Sequence, residues 1–156
     1  MTLRKKTILF LSSGCLLGNM PFAPGTFGTL PGLPICWLLS KIDLSITVFL
    51  IFLALPIAIW ISGKAERLLG KKDPGAIVID EIVGMILTLA GLPFNVITVG
   101  LGFVLFRLLD ITKPFPIRFL ERIFKGGTGI VLDDVAAGII ANITLRIILQ
   151  LIDLLT

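Results

Sequence analysis

The sequence predicts an all-α protein, a single multi-pass transmembrane bundle that takes in residues 1–156. Hydrophobic residues make up 56% of the chain and charged residues only 15%, against roughly 45–50% and 25% in soluble domains. The mean hydropathy is +1.05. A core built from a chain of this length cannot hide that much apolar surface from water, so lipid is the expected solvent.

About five apolar segments are the predicted crossings. Residues 44–61 form an uncharged run long enough to span a bilayer, and Pro56 is expected to kink that helix without ending it. The other predicted crossings are residues 29–40, residues 82–92 (extended backward through 77–79), residues 96–106 and residues 130–155. We interpret residues 1–17 as a retained interfacial or buried segment, because Ser12, Ser13 and Gly14 interrupt its apolar run.

Basic residues gather on one side of this predicted bundle. They occur before the first crossing, between the second and third, and between the fourth and fifth. By the positive-inside rule these three regions are cytoplasmic, which leaves the C-terminus on the far side. The unusual polar residues of the apolar segments fall at the same cytoplasmic ends, and this shared location predicts a functional site there.

Charged side chains at the ends of two apolar segments, the third and fourth predicted crossings, are the first candidate site residues. Asp80 and Glu81 open a span, where ionised carboxylates are costly and usually point into a bundle or a cavity. Arg107 and Asp110 are three residues apart and can meet on one helix face. Lys113 precedes proline, which disfavours a helical conformation there. An arginine and a lysine near carboxylates suit a phosphate together with a metal ion. The structural alternatives are snorkelling acids and an internal ion pair.

Two glycine-rich stretches complete the candidate site. Asp133 and Asp134 follow residues 126–129, and the dipole of a helix N-terminus would also favour them there. Beyond them a small and polar stripe recurs every fourth residue and is expected to face the bundle; it consists of Gly138, Asn142, Arg146 and Gln150. The loop at residues 24–29 contains Gly25 and Thr26, whose backbone N–H groups are candidate phosphate donors.

Several phosphatase mechanisms are excluded by residues that the chain lacks. It has no histidine, neither cysteine is followed by arginine six positions later, and no Asp-x-Asp sequence occurs. These absences argue against histidine, cysteine and aspartyl-phosphate nucleophiles. What remains is attack by water assisted by a metal ion, with carboxylates holding the ion and basic groups holding the phosphate.

Four ordered motifs resemble those of the phosphatidylglycerophosphatase A family. They are G-x-x-x-G-x-x-P-x-A-P-G-T-x-G-T at residues 14–29, D-x-G-x-I-V-x-D-E-x-x-G at 73–84, F-R-x-x-D-x-x-K-P-x-P-I-R at 106–118 and G-G-x-G-I-x-x-D-D-x-x-A-G at 126–138. The resemblance implies a magnesium-dependent enzyme of the bacterial cytoplasmic membrane. Such an enzyme hydrolyses phosphatidylglycerol phosphate to phosphatidylglycerol and phosphate, with its active site facing the cytoplasm.

The resemblance and the residue chemistry together suggest a role for each candidate. Asp80, Asp133 and Asp134 are expected to bind Mg²⁺, with Glu81 as a further ligand or as the base for water. Arg107 and Lys113 are expected to hold the phosphate, and Asp110 to orient Arg107 or to complete the metal shell. Gly25 and Thr26 are expected to supply backbone donors.

Two other functional classes stay open at this point. A small transporter or ion pathway also places carboxylates in membrane helices. However, internal repeats and midplane sites are typical of that class, and this sequence shows neither. Another membrane enzyme of phospholipid head groups is the second alternative. The expected partner is a phospholipid; nucleic acid is not expected, because the basic residues lie in loops beside apolar segments. An oligomer is possible.

Overall fold

The computed structural model describes residues 2–155, and every regular element in that part of the chain is helical. A 3₁₀ turn at Leu17–Asn19 lies between the first two α-helices. The α-helices are α1 (Leu3–Ser12), α2 (Pro24–Thr29), α3 (Gly32–Leu39), α4 (Leu44–Leu69), α5 (Ile79–Leu89), α6 (Val96–Thr112), α7 (Ile117–Ile123) and α8 (Gly127–Leu155). The predicted all-α class is confirmed.

Helix α8 forms the centre of the bundle and packs against α4, α5, α6 and α7. The core between these helices contains Met85 from α5, Phe106 from α6, Ile117 from α7 and Leu145 from α8, all fully buried. This core lies beside the charged residues of α5, α6 and α8, so it fixes the positions from which their side chains extend.

Glycines bring α5 and α8 unusually close together. A Cβ atom on Gly138 would lie 2.5 Å from the carbonyl oxygen of Gly84 and 3.0 Å from the Cβ of Leu87. A Cβ atom on Gly84 would overlap the ring of Phe106. Small residues at such a crossing let the helix backbones approach, and here the approach brings Asp80 and Asp134 into one region.

Three members of the predicted polar stripe of α8, Gly138, Asn142 and Arg146, face the bundle, whereas Gln150 is exposed near the end of the helix. Asn142 Nδ2 donates to the carbonyl oxygens of Thr88, at 2.9 Å, and Ala90, at 3.0 Å. Arg146 Nη2 donates to the Ala90 carbonyl oxygen at 2.8 Å. The last carbonyls of a helix have no partner within the helix, so Asn142 and Arg146 satisfy the end of α5.

Two helices are long and apolar enough to cross a membrane, α4 and α8. At 1.5 Å per residue they extend roughly 39 Å and 44 Å, more than the hydrocarbon thickness of a bilayer. Only 22% of the most apolar window of each is buried inside the protein, whereas the core helix of a soluble protein is mostly covered. Large apolar side chains of α4 such as Phe49, Phe52 and Ile57 are exposed. Together these observations suggest association with a membrane.

The five predicted crossings are not confirmed as such. Helix α3 has 8 residues and α5 has 11, and each is shorter than the roughly 20 residues that a helical crossing needs. Helix α6 has 17 residues and continues past the predicted end at residue 106 to Thr112. Helix α8 begins at Gly127 rather than at residue 130, so part of the expected glycine loop is helical. Helix α4 continues through Pro56 to Leu69.

The N-terminal segment belongs to the folded structure. Helix α1 packs along α4, and Ile8 is buried in a cluster with Ala65, Ile77 and Ile130. The backbone N–H of Val78 donates to the carbonyl oxygen of Ser12 at 2.8 Å. These contacts hold the residues that precede α5 and so position the first turn of that helix.

Candidate active site

The structure brings the predicted charged residues together where α5 begins and α6 ends. Asp80 and Glu81 lie in the first turn of α5, where the helix dipole favours negative charge. Arg107 and Asp110 come from the last turns of α6, and Lys113 ends that helix. Asp133 and Asp134 join them from the second turn of α8. We call this group of residues the charged centre.

Arg107 joins α5 and α6 through two carboxylates. Its Nη1 atom lies 3.0 Å from Glu81 Oε1 and 2.7 Å from Asp110 Oδ2. The side chains of all three residues are only 13–14% exposed. The pairing of Arg107 with Asp110 confirms the contact that their three-residue spacing predicts. Asp110 and Glu81 therefore fix the orientation of the guanidinium group.

Lys113 connects the end of α6 with α8 through its side chain. Its backbone is left-handed, with φ of 43°, which agrees with the prediction that proline at the next position disfavours a helical conformation. Its Nζ atom donates to Asp133 Oδ2 at 2.5 Å and lies 3.5 Å from Glu121 Oε1. Burial would lower the pKa of Lys113, but the hydrogen bond and charge of Asp133 outweigh it and raise that pKa above its ordinary value. The ammonium group therefore stays charged.

Four buried polar atoms of the charged centre have no hydrogen-bond partner among the described residues. Three are carboxylate oxygens, Asp80 Oδ1, Glu81 Oε2 and Asp134 Oδ2, and the fourth is the donor Arg107 Nε. Buried polar groups are nearly always paired, and an unpaired one costs roughly 1–3 kcal/mol, more if it is charged. Free acceptors beside a free donor are what a cation and an oxyanion together would satisfy.

The charged centre carries more acid than base. Asp134 lies within electrostatic range of Asp80, Asp110 and Asp133, and Asp80 within range of Glu81, Asp133 and Asp73. The charged centre contains five acidic side chains and two basic ones, Arg107 and Lys113. Asp80 is 8% exposed and Asp134 2%. Such a surplus at low exposure requires protons or a bound cation.

The acids fit a magnesium ion that is held by few protein ligands. Within residues 2–155 no three acidic, cysteine or histidine side chains converge closely enough to hold a metal ion in their present positions. Glu81 and Asp133 each have one oxygen paired with a basic group, whereas Asp80 and Asp134 have a free buried oxygen and no basic partner among the described residues. Mg²⁺ commonly binds one or two carboxylates and completes its shell with water and substrate phosphate. Asp80 and Asp134 suit that role, and the four-ligand set stays a prediction.

The expected glycine-rich loop at residues 24–29 is the short helix α2, which lies directly on the charged centre. A Cβ atom on Gly25 would overlap Glu81 Oε1 and lie 2.6 Å from Arg107 Nη2. A Cβ atom on Gly28 would lie 2.5 Å from a methyl group of Val78 and 2.6 Å from Glu81 Oε2. The backbone N–H of Thr26 donates to the carbonyl oxygen of Ala23 at 2.9 Å. The structure thus gives Gly25 a packing role, and phosphate binding by Gly25 and Thr26 stays a prediction.

Three acids at the rim of the charged centre were not among the predicted site residues. Asp73, Glu66 and Glu121 line a cavity of about 240 Å³ that reaches Asp133. Asp73 is exposed, and its backbone N–H donates to Glu66 Oε1 at 3.2 Å. Partial desolvation raises the pKa of Asp73 despite the opposing charge of Lys113. The second motif begins at Asp73 and could have indicated that Asp73 belongs to the site. No feature of the sequence indicated Glu121.

The fold and the charged centre define a membrane-associated helical protein suited to phosphate chemistry. The family model of phosphatidylglycerophosphatase A matches residues 10–149, and the chain belongs to that family. The resemblance found in the four motifs is therefore confirmed.

Curated relatives support the same assignment. Proteins named phosphatidylglycerophosphatase A from Haemophilus influenzae and Escherichia coli are 40% and 38% identical to this chain. The matches cover 87% and 84% of this chain and 85% and 77% of those relatives. A Bacteroides thetaiotaomicron protein described as a candidate phosphatidylinositol-3-phosphatase is 36% identical, over 89% of this chain and 91% of its own length. No solved structure matches the chain.

The contact of α2 with the charged centre predicts the effect of one methyl group. Gly25→Ala should displace Glu81 and Arg107, and a misplacement of about 1 Å in a catalytic site can cost about a hundredfold in rate. Gly100→Ala is the matched control, because a Cβ atom there meets nothing within 4 Å. Phosphatase activity and thermal unfolding of the purified variants are the measurements. Equal activity of the folded Gly25→Ala and Gly100→Ala proteins would contradict the assigned contact.

Proposed function

We propose that this chain hydrolyses the terminal phosphomonoester of phosphatidylglycerol phosphate, giving phosphatidylglycerol and inorganic phosphate. The observation that carries the proposal is the set of free buried atoms in the charged centre, with the oxygens of Asp80, Glu81 and Asp134 beside the donor Arg107 Nε. Membership of the family and the names of two relatives support the choice of substrate. Family membership also argues against the transporter alternative.

In the proposed mechanism the basic residues bind the terminal phosphate. Arg107 is held at Nη1 by Glu81 and Asp110, which leaves its free Nε to donate to a phosphate oxygen. Lys113 adds a second positive charge and moves from Asp133 toward the substrate when the phosphate enters. Charge-assisted hydrogen bonds of this kind stabilise the negative charge of the phosphoryl group during transfer.

The acids divide into two roles. Mg²⁺ held by Asp80 and Asp134 would neutralise phosphate charge and polarise the bonds to phosphorus. Glu81 has one oxygen fixed on Arg107 and one free, which makes it the proposed base. Its free oxygen accepts a proton from the water that attacks phosphorus. As the bond from phosphorus to the glycerol oxygen breaks on the opposite side, a water molecule protonates the leaving oxygen, and Glu81 then releases its proton to solvent.

A second candidate substrate class follows from the Bacteroides relative, whose name refers to phosphatidylinositol 3-phosphate. That lipid and phosphatidylglycerol phosphate share one pattern, a phosphomonoester joined through a polyol to a phosphodiester. Phosphatidic acid has the monoester without the diester. Phosphate release by the purified chain from these three lipids therefore distinguishes head-group selectivity from general lipid phosphatase activity, and we expect phosphatidylglycerol phosphate to be hydrolysed fastest.

We place the charged centre at the cytoplasmic face of a bacterial membrane, in a chain with up to five crossings. Helices α4 and α8 are long enough to span. The hairpin of α5 and α6 reaches from the level of Asp134 to Arg146, which bonds Ala90 at the turn, a depth of roughly 18 Å along α8. Basic residues at the end of α4 and along α7 lie at the same end as the charged centre. The positive-inside rule then assigns that end to the cytoplasm.

The proposed mechanism predicts the effect of removing one charge from Asp80. Asp80→Asn keeps the size of the side chain, and turnover should fall by about a hundredfold, as when one charge-stabilising group is lost from other sites. Added Mg²⁺ should restore part of the activity, because Asp80 is proposed as a ligand rather than the base. Asp153→Asn, at the exposed end of α8, is the control and should leave turnover unchanged. Near-normal turnover of folded Asp80→Asn at ordinary magnesium would remove Asp80 from the site.

The proposed orientation predicts the behaviour of fused reporters. A reporter that is active only outside the cytoplasm should be active when it is fused after the C-terminus and silent when it is fused after Lys72. Lys72 lies beyond the basic end of α4, on the proposed cytoplasmic side. The opposite pair of activities would place the charged centre on the far side of the membrane.

A further inference from the structure

A second cavity opens beside the charged centre, and its chemistry differs from that of the centre. The cavity has a volume of about 480 Å³ and lies along α7 and the turn that precedes it. Its lining includes the basic residues Lys113, Arg118 and Arg122 and the aromatic residues Phe115 and Phe119, and none of the described residues that line it is acidic. Lys113 also bonds Asp133, so this cavity and the charged centre share one residue. We call it the α7 cavity.

The two arginines of the α7 cavity carry positive charge that is not neutralised. Arg118 and Arg122 are one helical turn apart on the same face of α7 and both are exposed. Neither forms an ion pair with any residue between 2 and 155. Arg118 Nη2 donates to the carbonyl oxygen of Thr112 at 3.3 Å, which holds the guanidinium next to Lys113. The remaining N–H groups of both side chains are available to an anion.

Aromatic side chains lie alongside these arginines. Phe115 is 83% exposed and Phe119 is 52% exposed, and their ring centroids are 6.2 Å apart. Exposed aromatic rings beside basic groups are typical of the boundary between lipid head groups and acyl chains. The α7 cavity therefore offers an anion site and an apolar contact to one molecule.

We propose that the α7 cavity binds the phosphodiester of the lipid substrate. Arg118 and Arg122 contact the diester oxygens, Phe115 and Phe119 contact the lipid backbone next to it, and the terminal phosphate reaches the charged centre past Lys113. The inference rests on the proposed function, because it requires a substrate in which a polyol separates a phosphomonoester from a phosphodiester. It assigns to α7 the recognition of the second phosphate.

Another basic cavity of the molecule suits this role less well. Lys64, Arg67 and Lys125 line a cavity between α4 and the start of α8, together with Glu66. The charge of Glu66 opposes an anion there, and Glu66 also lines the neighbouring cavity at the acidic rim of the charged centre. Arg67 therefore provides a matched control, an arginine at the same end of the bundle but outside the α7 cavity.

The test compares Arg118→Gln, Arg122→Gln and Arg67→Gln in the full chain, purified in detergent micelles. Hydrolysis of phosphatidylglycerol phosphate gives kcat and KM. Inhibition by glycerophosphoglycerol, a soluble diester with neither acyl chains nor a phosphomonoester, reports on diester binding alone. Loss of a hydrogen bond to a charged group should raise KM and the inhibition constant by about tenfold in each α7 variant. A group that binds substrate and transition state equally leaves kcat unchanged when it is lost, and Arg67→Gln should behave as wild type.

The outcomes separate this inference from the proposed function. If wild type does not hydrolyse phosphatidylglycerol phosphate, the proposed function fails and the inference fails with it. If wild type is active and the α7 variants keep its KM and its inhibition constant, only the inference is overturned. A raised KM for micellar substrate with unchanged inhibition by the soluble diester would also overturn it, because α7 would then act only as a lipid anchor. Thermal unfolding of each variant checks that the fold is retained.

Discussion

The structure depends on the burial of more negative than positive charge where α5, α6 and α8 meet. Asp80 and Asp134 are almost completely buried, and each keeps an oxygen without a partner among the described residues. Ionised groups in such surroundings are strongly unfavourable unless a cation neutralises them. The close approach of α5 to α8 at Gly84 and Gly138 brings the two acids together. Packing that brings like charges together lowers the stability of the fold. A divalent cation and a phosphate bound at the charged centre would offset that cost.

Two basic residues organise the remaining acids. Arg107 connects Glu81 on α5 with Asp110 on α6, and Lys113 connects the end of α6 with Asp133 on α8. These pairs neutralise one oxygen of Glu81 and one of Asp133, while the free atoms of the centre remain those of Asp80, Glu81, Asp134 and Arg107. In the proposed mechanism each of these groups has a separate role, with Asp80 and Asp134 binding a cation, Glu81 accepting a proton and Arg107 binding the phosphate. The basic residues of α7 are proposed to bind the phosphodiester, which is the part of the lipid head group that is not cleaved.

Much of this could be predicted from the sequence, since it depends on spacing within one segment. The all-α class followed from hydropathy, and the Arg107–Asp110 contact followed from helical periodicity. The non-helical backbone of Lys113 followed from the proline after it. The inward orientation of Asn142 and Arg146 followed from their four-residue spacing. Features that depend on distant segments could not be predicted. The pairing of Lys113 with Asp133 and Glu121 joins three elements, and the packing role of Gly25 arises only when α2 lies on α5 and α6. The crossings at residues 29–40 and 82–92 were predicted from apolar runs, but a turn at residues 30–31 and the left-handed backbone of Gly91 limit the helices there to 8 and 11 residues.

Metal binding to the purified chain, in the absence of substrate, tests the central claim most directly. Mn²⁺ can replace Mg²⁺ at oxygen sites, and its electron paramagnetic resonance signal distinguishes free from bound ion. We expect saturable Mn²⁺ binding to wild type that Mg²⁺ displaces. Affinity should be lowered by more than about tenfold in Asp80→Asn and in Asp134→Asn, since even outer-shell changes commonly cost that much, and should be unchanged in Asp153→Asn. Equal Mn²⁺ affinity in wild type, Asp80→Asn and Asp134→Asn would contradict the claim that these two buried carboxylates hold the cation.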